Sequence, residues 1–261
     1  MKVAMTIAGS DSGGGAGVQA DLKTFAAHGV HGVCALTAVT AQSTVEVRDW
    51  VALEPRLVVA QIDTVADDIE ISAVKTGMLA NAAVIVAVAE ALRRRGLPRI
   101  VVDPVMVAKG GQRLLDRGAE NAYVERLFPL AALVTPNLPE AEVLLGRRVR
   151  TLADMREAAR ALHGLGPGAV VVKGGHLPGA AVDVFFDGVH MEELAAARIV
   201  TKNTHGTGCT FSAAIAGRLA NGAVLVDAVR GAKEYLTEAI RCSYSIGRGH
   251  GPVDHLHLFR G

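Results

Sequence analysis

Short runs of apolar residues alternate along the chain with longer stretches in which apolar residues recur at helical spacing. The apolar runs lie near residues 3–8, 33–40, 73–75, 100–103, 133–135 and 170–173. The predicted helices lie near residues 17–27, 55–68, 82–95, 116–127, 138–145, 152–165, 207–220 and 223–244. Strands that alternate with helices in this way are typical of βαβ units. The pattern predicts an α/β fold with a central, mostly parallel sheet.

The alternation changes between residues 181 and 200, where two β-like pieces flank Asp187 and Gly188. An Asp-Gly pair is a strong signal for a hairpin turn, so we expect antiparallel strands there. We find no internal repeat and no break in composition along the 261 residues. This length is near the upper end of what one α/β core holds, and we therefore expect a single domain over residues 1–261.

Composition and charge favour a packed protein that acts on small molecules. Half of the residues are apolar, and the formal net charge of +1 comes without a long block of Lys or Arg, which a nucleic-acid or membrane-surface binder would carry. The cysteines Cys34, Cys209 and Cys242 are widely spaced, which predicts neither a disulfide framework nor a structural zinc site. Without a signal-peptide pattern or a long apolar run, we expect a cytoplasmic enzyme.

The strongest local signal is the segment HGTGCT at residues 205–210, which precedes a helix of small residues. Gly206 and Gly208 let the backbone approach a ligand closely, and the N–H groups of the first helical turn suit a transferring phosphoryl group. A glycine turn that only packs the helix on the sheet is the alternative. Residues 9–17 form a second Gly-rich segment, but its spacing does not match a dinucleotide fingerprint, and no Walker A sequence occurs, which excludes a P-loop kinase.

Polar residues that follow predicted strands supply further candidates, because ligands of open α/β sheets bind beyond the carboxyl ends of the strands. Asn137 and Glu140 suit the start of a helix, as a cap and a first-turn acid, or the organisation of hydrated magnesium that accompanies ATP. Asp103 ends another strand and precedes Lys109 and Gly110 in a predicted mobile loop. Such a loop either closes over a substrate or is an ordinary solvated loop.

Taken together, these segments resemble the hydroxymethylpyrimidine and phosphomethylpyrimidine kinases of thiamine synthesis, which are ribokinase-like proteins. The similar stretches span nearly the whole chain in the order of the family: GSDSGGGAGVQADLKTF, TAVTAQST, VKTGM, DPVMVAKGGQRLL, TPNLPEAE, VVVKGGH, HGTGCTFSAAIA and GHGPVDH. The resemblance implies a ribokinase-like three-layer α/β/α fold, a homodimer, ATP and Mg²⁺. It also implies phosphorylation of the pyrimidine alcohol and then of its monophosphate.

The resemblance further implies roles for individual residues. Those expected to bind the pyrimidine are Gly9, Asp21, Val39, Gln42 and Met78, with Gln42 at the aminopyrimidine edge. Those expected to form the catalytic anion hole are Gly206, Thr207, Gly208 and Cys209. Those expected near the ATP phosphates are Lys173, Asn137 and Thr207, and those expected near the metal are Asp103 and Glu140.

Cys209 is the candidate base, because it occupies the position at which sugar kinases of the wider group carry a catalytic Asp. A helix N-terminus lowers a thiol pKa below its usual value of about 8.5, and His205 is a further influence. A small buried residue without a chemical role is the alternative. Three other functions stay open: a pyridoxal kinase or an enzyme of both specificities, a catalytically silent pyrimidine or nucleotide sensor, and an oxidoreductase.

Overall fold

One sheet runs through the computed structural model, which describes residues 1–108, 110–175, 177 and 179–260. Its strands in the described residues are β1 (Val3–Asp11), β2 (His31–Gln42), β3 (Val47–Ala52), β4 (Ala73–Thr76), β5 (Ile100–Val102), β6 (Leu133–Val134), β7 (Val170–Val172), β8 (Ala181–Phe186) and β9 (Met191–Ala196). The strand order is β3-β2-β1-β4-β5-β6-β7-β8-β9. Strands β1, β2 and β4 to β7 pair in parallel, and the pairs made by β3, β8 and β9 are antiparallel. The predicted mostly parallel sheet and the later hairpin are confirmed.

Helices cover both faces of this sheet. In the described residues they are α1 (Gly17–Ala27), α2 (Pro55–Asp68), α3 (Ala82–Arg95), α4 (Glu120–Ala122), α5 (Leu138–Leu145), α6 (Leu152–His163), α7 (Thr207–Ala220) and α8 (Leu225–Arg241). Every helix in this described part is too short or too polar to cross a membrane.

The three layers follow from the alternation of side chains along each strand. In β7, Val170 and Val172 join an apolar cluster with α2, α3, α5 and α6 on one face of the sheet. Val171, which lies between them, joins a second cluster with α1, α7 and α8 on the other face. Each buried strand therefore contributes to two cores, and the predicted α/β/α architecture is confirmed.

Two elements differ from the sequence prediction. Strand β3 was not predicted, because its polar residues Arg48 and Asp49 conceal the strand pattern, and it pairs with β2 alone at one edge of the sheet. The helix predicted over residues 116–127 begins only at Glu120 and continues as a π-helical turn, Tyr123–Leu127. Gly118 has a φ of 83°, a left-handed conformation that a right-handed helix cannot include.

The strand order sets the place of a binding site. Strand β1 has β2 on one side and β4 on the other, so the order of the parallel strands reverses at β1. Open α/β sheets bind ligands in the crevice at such a reversal, beyond the carboxyl ends of the strands. The ends of β1, β4, β5, β6 and β7 meet at this edge.

Candidate active site

A cavity of about 470 Å³ opens at the carboxyl edge of the parallel strands. All but two of the predicted site residues line it. They are Gly9, Gln42, Met78, Asp103, Asn137, Glu140, Lys173, Gly206, Thr207, Gly208 and Cys209. Residues far apart in the sequence are thus brought to one wall, while their individual roles stay predictions.

The turn that begins α7 presents its backbone to this cavity. Gly206 precedes the helix with a φ of 80°, which glycine adopts without strain. A Cβ atom there would lie 1.8 Å from the carbonyl oxygen of Gly15, so a larger residue does not fit. The N–H groups of Thr207, Gly208 and Cys209 belong to the first turn, which has no carbonyl partners within the helix. These groups and the helix dipole make this end of the cavity attractive to an anion.

An ion pair between a half-buried lysine and a buried aspartate lies directly against this turn. Nζ of Lys173, just beyond β7, donates a hydrogen bond of 2.8 Å to Oδ1 of Asp103, just beyond β5. A Cβ atom on Gly208 would lie 3.4 Å from that Nζ and 3.6 Å from Oδ2 of Asp103. Burial lowers the pKa of Lys173, but the charges of Asp103 and Glu140 outweigh it and hold the pKa above its ordinary value. The ammonium group therefore stays charged at neutral pH.

Asn137 and Glu140 form the helix cap that the sequence suggested. Oδ1 of Asn137 accepts from the Glu140 N–H at 2.9 Å, and Oε2 of Glu140 accepts from the Asn137 N–H at 2.8 Å. Both residues also line the cavity. Burial raises the pKa of Glu140 to about 7, with Lys173 opposing the rise and Asp103 adding to it. The structural role is confirmed, and the metal-binding role stays a prediction.

Asp103 and Glu140 suit a divalent cation that arrives with a nucleotide. In the part of the chain that the structure describes, no group of three or more His, Cys, Asp or Glu side chains forms a metal site by itself. Mg²⁺ commonly uses one or two carboxylates, with phosphate oxygens and water as its other ligands. The charge of Asp103 raises the pKa of Glu140, and a cation between the two carboxylates would relieve that repulsion. The residues therefore fit Mg²⁺ bound together with ATP.

The other end of the cavity carries the predicted acceptor residues. A Cβ atom on Gly9 would lie 3.0 Å from Sδ of Met78, so the glycine leaves room for that side chain. Gln42 ends β2, and its Oε1 lies 3.3 Å from Oγ1 of Thr40 while its Nε2 lies 3.3 Å from Nε2 of His205. This end combines an apolar wall with one amide, an inventory suited to a flat heterocycle with a polar edge.

Asp11 and His205 join the two Gly-rich segments, a role that the sequence analysis missed. The Asp11 carboxylate accepts from the N–H groups of Gly13, Gly15 and Ala16 at 2.8–3.0 Å and lies 2.8 Å from Nε2 of His205. Burial raises the pKa of Asp11, but the hydrogen bond and charge of His205, with the backbone N–H groups, bring it below its ordinary value. Asp11 is therefore a carboxylate at neutral pH. The available signal was an acid inside one Gly-rich segment and a histidine that begins the other.

The expectation that the pKa of Cys209 is lowered is wrong. Burial raises the pKa of this thiol to about 11, and the nearby charge of Lys75 opposes the rise only in part. His205, the other expected influence, is hydrogen-bonded to Asp11 instead. Cys209 is therefore a neutral thiol at neutral pH in this structure.

Two predicted site residues, Asp21 and Val39, are not among the residues that line the cavity, and their contact with a substrate stays a prediction. Asp21 is fully buried, and its two carboxylate oxygens accept from Nζ of Lys75 at 2.8 and 2.9 Å. Val39 is 43% exposed, because successive residues of β2 face opposite sides of the sheet. Asp21 has no exposed surface, whereas Val39 is the strand partner of Ser10, a residue that lines the cavity.

Lys75 is a fully buried cation to which the sequence analysis assigned no role. Burial lowers its pKa, but the charge of Asp21 outweighs burial and holds the pKa above its ordinary value. Cys209 and Asp103 are near enough to contribute in the same direction. The Lys75–Asp21 pair is thus a fixed charge pair next to the site. A lysine inside the short, fully buried strand β4 was the available signal.

The predicted loop after Asp103 is only partly described, since Lys109 lies outside the described residues. Val107 and Arg113 form an antiparallel bridge, and the Ala108 N–H donates to the carbonyl oxygen of Gln112 at 2.7 Å. Val107 and Ala108 also line the cavity. The described part of this segment is thus a short hairpin beside the cavity, and its closure over a substrate stays a prediction.

Comparisons with known proteins agree with this arrangement. The model of the family described as phosphomethylpyrimidine kinase matches residues 11–254. The chain is 51% identical over 259 residues to the hydroxymethylpyrimidine/phosphomethylpyrimidine kinase of Rhizobium meliloti, with 98% of this chain and 97% of that protein covered. It is 54% identical over 253 residues to the thiamine biosynthesis bifunctional protein ThiED of Geobacter sulfurreducens. That match covers 97% of this chain but spans only about half of the relative, 52% of its length.

Among solved structures, the chain is similar to the ADP complex of Bacillus subtilis pyridoxal kinase. The TM-score is 0.93 at 42% sequence identity, and the match covers 100% of both chains. A similarity of this extent confirms the predicted ribokinase-like fold.

Proposed function

The chain belongs to the phosphomethylpyrimidine kinase family, and from this premise we propose that it transfers phosphate from ATP to hydroxymethylpyrimidine and then to the resulting monophosphate. The observation that carries the proposal is one cavity with two chemically different ends. One end combines helical N–H groups with the Lys173–Asp103 pair, and the other presents the Gln42 amide. A phosphoryl donor and a polar heterocycle need these two environments side by side.

At the donor end, the backbone of α7 is suited to stabilise a phosphoryl group in transfer. Phosphoryl transfer spreads negative charge over the equatorial oxygens of the moving group, and fixed donors stabilise it without reorganisation. Gly206, in its left-handed conformation, precedes α7, and the first-turn residues Thr207, Gly208 and Cys209, whose N–H groups have no partner within the helix, line the cavity. The ammonium of Lys173 lies beside Gly208 and adds a full positive charge.

Asp103 and Glu140 are the residues that would hold magnesium with ATP, and Asn137 keeps Glu140 in place through the helix cap. Magnesium bound there would neutralise part of the charge on the phosphates.

At the acceptor end, Gln42 is the residue proposed to recognise the pyrimidine. Its amide has one acceptor oxygen and two N–H donors, whereas an aminopyrimidine edge offers a ring nitrogen as acceptor and an amino group as donor. The two inventories are complementary. Met78, with Gly9 beside it, supplies apolar surface for the ring.

We call residues 206–209, the turn proposed to bind the phosphoryl group, the phosphate-binding turn. Cys209 lies in this turn at the cavity wall and is proposed as the group that takes the proton of the acceptor hydroxyl. Its raised pKa means that the thiol has to ionise before it acts as a base. A loose transition state makes modest demands on the nucleophile, so a base that is rarely ionised is compatible with turnover. The monophosphate is largely ionised without help, because its second pKa is about 6.

A pyridoxal kinase, or an enzyme of both specificities, is the second candidate. The similarity to a pyridoxal kinase over the full length of both chains favours it. Pyridoxal also carries a hydroxymethyl group on a flat nitrogen heterocycle. The Rhizobium meliloti relative, which is named for the pyrimidine activity, is 51% identical to this chain, against 42% for the pyridoxal kinase, which favours the first proposal.

The test is to supply each acceptor separately with ATP and Mg²⁺ and to measure the products by mass. The proposal predicts that the pyrimidine alcohol gains one phosphoryl group and then a second. Product from pyridoxal alone would favour the second candidate. Binding of the pyrimidine without any product would favour a silent sensor.

The expected single domain, cytoplasmic location and homodimer are part of this proposal. Val39 and Val51 are cross-strand neighbours on the β2–β3 hairpin and are 43% and 61% exposed. A second copy of the chain that covers these side chains would remove apolar surface from water. Light scattering on the purified protein tests the dimer, which a monomeric mass would exclude.

A further inference from the structure

His205 lies where three parts of the site meet. Its Nε2 atom is 2.8 Å from Oδ2 of Asp11, in the first Gly-rich segment, and 3.3 Å from the side-chain amide of Gln42, at the end of β2. Its backbone precedes Gly206, which begins the phosphate-binding turn. Gly15 packs closely against the His205 ring, since a Cβ atom on Gly15 would lie only 2.5 Å from Cδ2 of His205. The ring therefore has little freedom to move.

The position of the proton on His205 follows from these contacts. Asp11 is ionised, because three backbone N–H groups and His205 stabilise its negative charge. A carboxylate oxygen at 2.8 Å requires a donor, so Nε2 of His205 carries a hydrogen whether the ring is neutral or charged. The second neighbour of that N–H, the Gln42 amide, must then present its oxygen, since two N–H groups facing each other repel.

Thr40 imposes the same orientation from the other side. Its hydroxyl donates to the carbonyl oxygen of Ser10 at 2.8 Å, which leaves the hydroxyl oxygen as an acceptor for a neighbour. The atom of Gln42 that lies 3.3 Å from that oxygen is Oε1, and the atom that lies 3.3 Å from Nε2 of His205 is Nε2, so two acceptors meet at Thr40 and two N–H groups meet at His205. Turning the amide by 180° about its terminal bond, which exchanges its oxygen and nitrogen, removes both conflicts. With its oxygen toward His205 and its NH₂ group toward Thr40, the amide satisfies both neighbours. One N–H and one oxygen lone pair then remain for a ligand in the cavity.

We propose that His205, held by Asp11, is a positioning residue that fixes the orientation of the Gln42 amide and thereby sets the specificity for an aminopyrimidine edge. The inference rests on the proposed function, because it assigns Gln42 to the pyrimidine. An aminopyrimidine needs a donor opposite its ring nitrogen and an acceptor opposite its amino group. Only one of the two amide orientations places them correctly.

The test uses two replacements of similar shape that differ in hydrogen bonding. His205→Gln retains an N–H that reaches Asp11, whereas His205→Met retains the bulk without the donor. Loss of the fixed orientation costs about twofold, and mobility of the Gln42 side chain costs about two- to tenfold more. His205→Met should therefore weaken binding of hydroxymethylpyrimidine about tenfold in calorimetric titration. His205→Gln should stay within about threefold of the unmodified protein.

A double variant separates positioning from general damage. Gln42→Ala alone should weaken pyrimidine binding about 10- to 100-fold, by leaving polar groups unpaired. Adding His205→Met to Gln42→Ala should change binding by less than about twofold, because the residue through which His205 acts is already gone. Equal effects of His205→Met in both backgrounds would overturn the inference, as would unchanged binding by the single His205→Met variant.

Two further variants secure the result. His190→Met is the matched control, since His190 is exposed and lies 3.4 Å from Asp187 in the hairpin between β8 and β9; its pyrimidine binding should be unchanged. If His205→Met does not fold, Asp11→Asn carries the same test, because an amide at position 11 can donate to Nε2 and reverse the polarity of the contacts. Its effect should likewise disappear with Gln42→Ala.

Absence of pyrimidine binding by the unmodified protein would overturn the proposed function as well, whereas normal binding with an unaffected His205→Met variant overturns only this inference.

Discussion

The raised pKa of Cys209 predicts different pH dependences for the two phosphorylations. If the thiolate is the base for the alcohol, that step follows the ionised fraction of Cys209. With a pKa of about 11, that fraction is ~10⁻⁴ at pH 7 and grows about tenfold with each pH unit up to pH 10. The thiolate is the active form, so the rate on the alcohol should rise over this whole range. The rate on the monophosphate should be nearly flat above its second pKa of about 6.

The assay is single-turnover kinetics with each acceptor supplied separately between pH 7 and pH 10. Cys209→Ala should remove the pH dependence on the alcohol and slow that step by about 10²- to 10⁴-fold, the usual range for general-base help. It should slow the monophosphate step much less. Cys242→Ala is the matched control, because this free cysteine is exposed, and it should leave both profiles unchanged.

Two results would refute this reasoning. A rate on the alcohol that reaches a plateau below about pH 9 would mean that Cys209 ionises near its ordinary pKa once substrates bind. Equal losses on both acceptors in Cys209→Ala would mean that Cys209 shapes the phosphate-binding turn and is not a base.

Three other substitutions test separate parts of the site. Gly208→Val adds bulk 3.4 Å from Nζ of Lys173 and should abolish transfer to both acceptors while pyrimidine binding persists; near-normal turnover would refute the role of the turn. Glu140→Gln should raise the Mg²⁺ concentration needed for half-maximal activity about 10- to 100-fold, and an unchanged requirement would remove Glu140 from the metal site. Lys75→Met leaves the Asp21 carboxylate buried without a countercharge, with only the Thr6 hydroxyl as a donor, so the free energy of unfolding in urea should fall by about 3–5 kcal/mol; a loss below about 1 kcal/mol would contradict the buried pair.

The sheet and its two helical layers could be predicted because their signals are local. Apolar runs such as Val170–Val172 contribute side chains to two apolar cores. In the helices between the runs, apolar residues recur at helical spacing, which is visible in the sequence. Strand β3 could not be predicted from the same signal. Its residues Arg48 and Asp49 are exposed, and pairing with β2, a tertiary interaction, makes this segment a strand.

The segments that form the candidate site could be predicted, but the burial, partners and pKa values of their side chains could not. The turn at Gly206 and the residues beyond the strands are visible as motifs, and they do line one cavity. Whether a carboxylate faces the cavity or pairs with a buried lysine depends on packing, which is why the Lys75–Asp21 pair was not predicted. The pKa of Cys209 was misjudged for the same reason, because burial outweighs the helix N-terminus.

The most direct test of the proposed function is a competition between the two acceptors. Equal concentrations of hydroxymethylpyrimidine and pyridoxal are incubated with the protein, ATP and Mg²⁺, and the products are followed by mass over time. The proposal predicts pyrimidine monophosphate first, pyrimidine diphosphate next and pyridoxal phosphate only as a minor product. Pyridoxal phosphate as the dominant product, or a pyrimidine product that stops at the monophosphate while ATP remains, would contradict it.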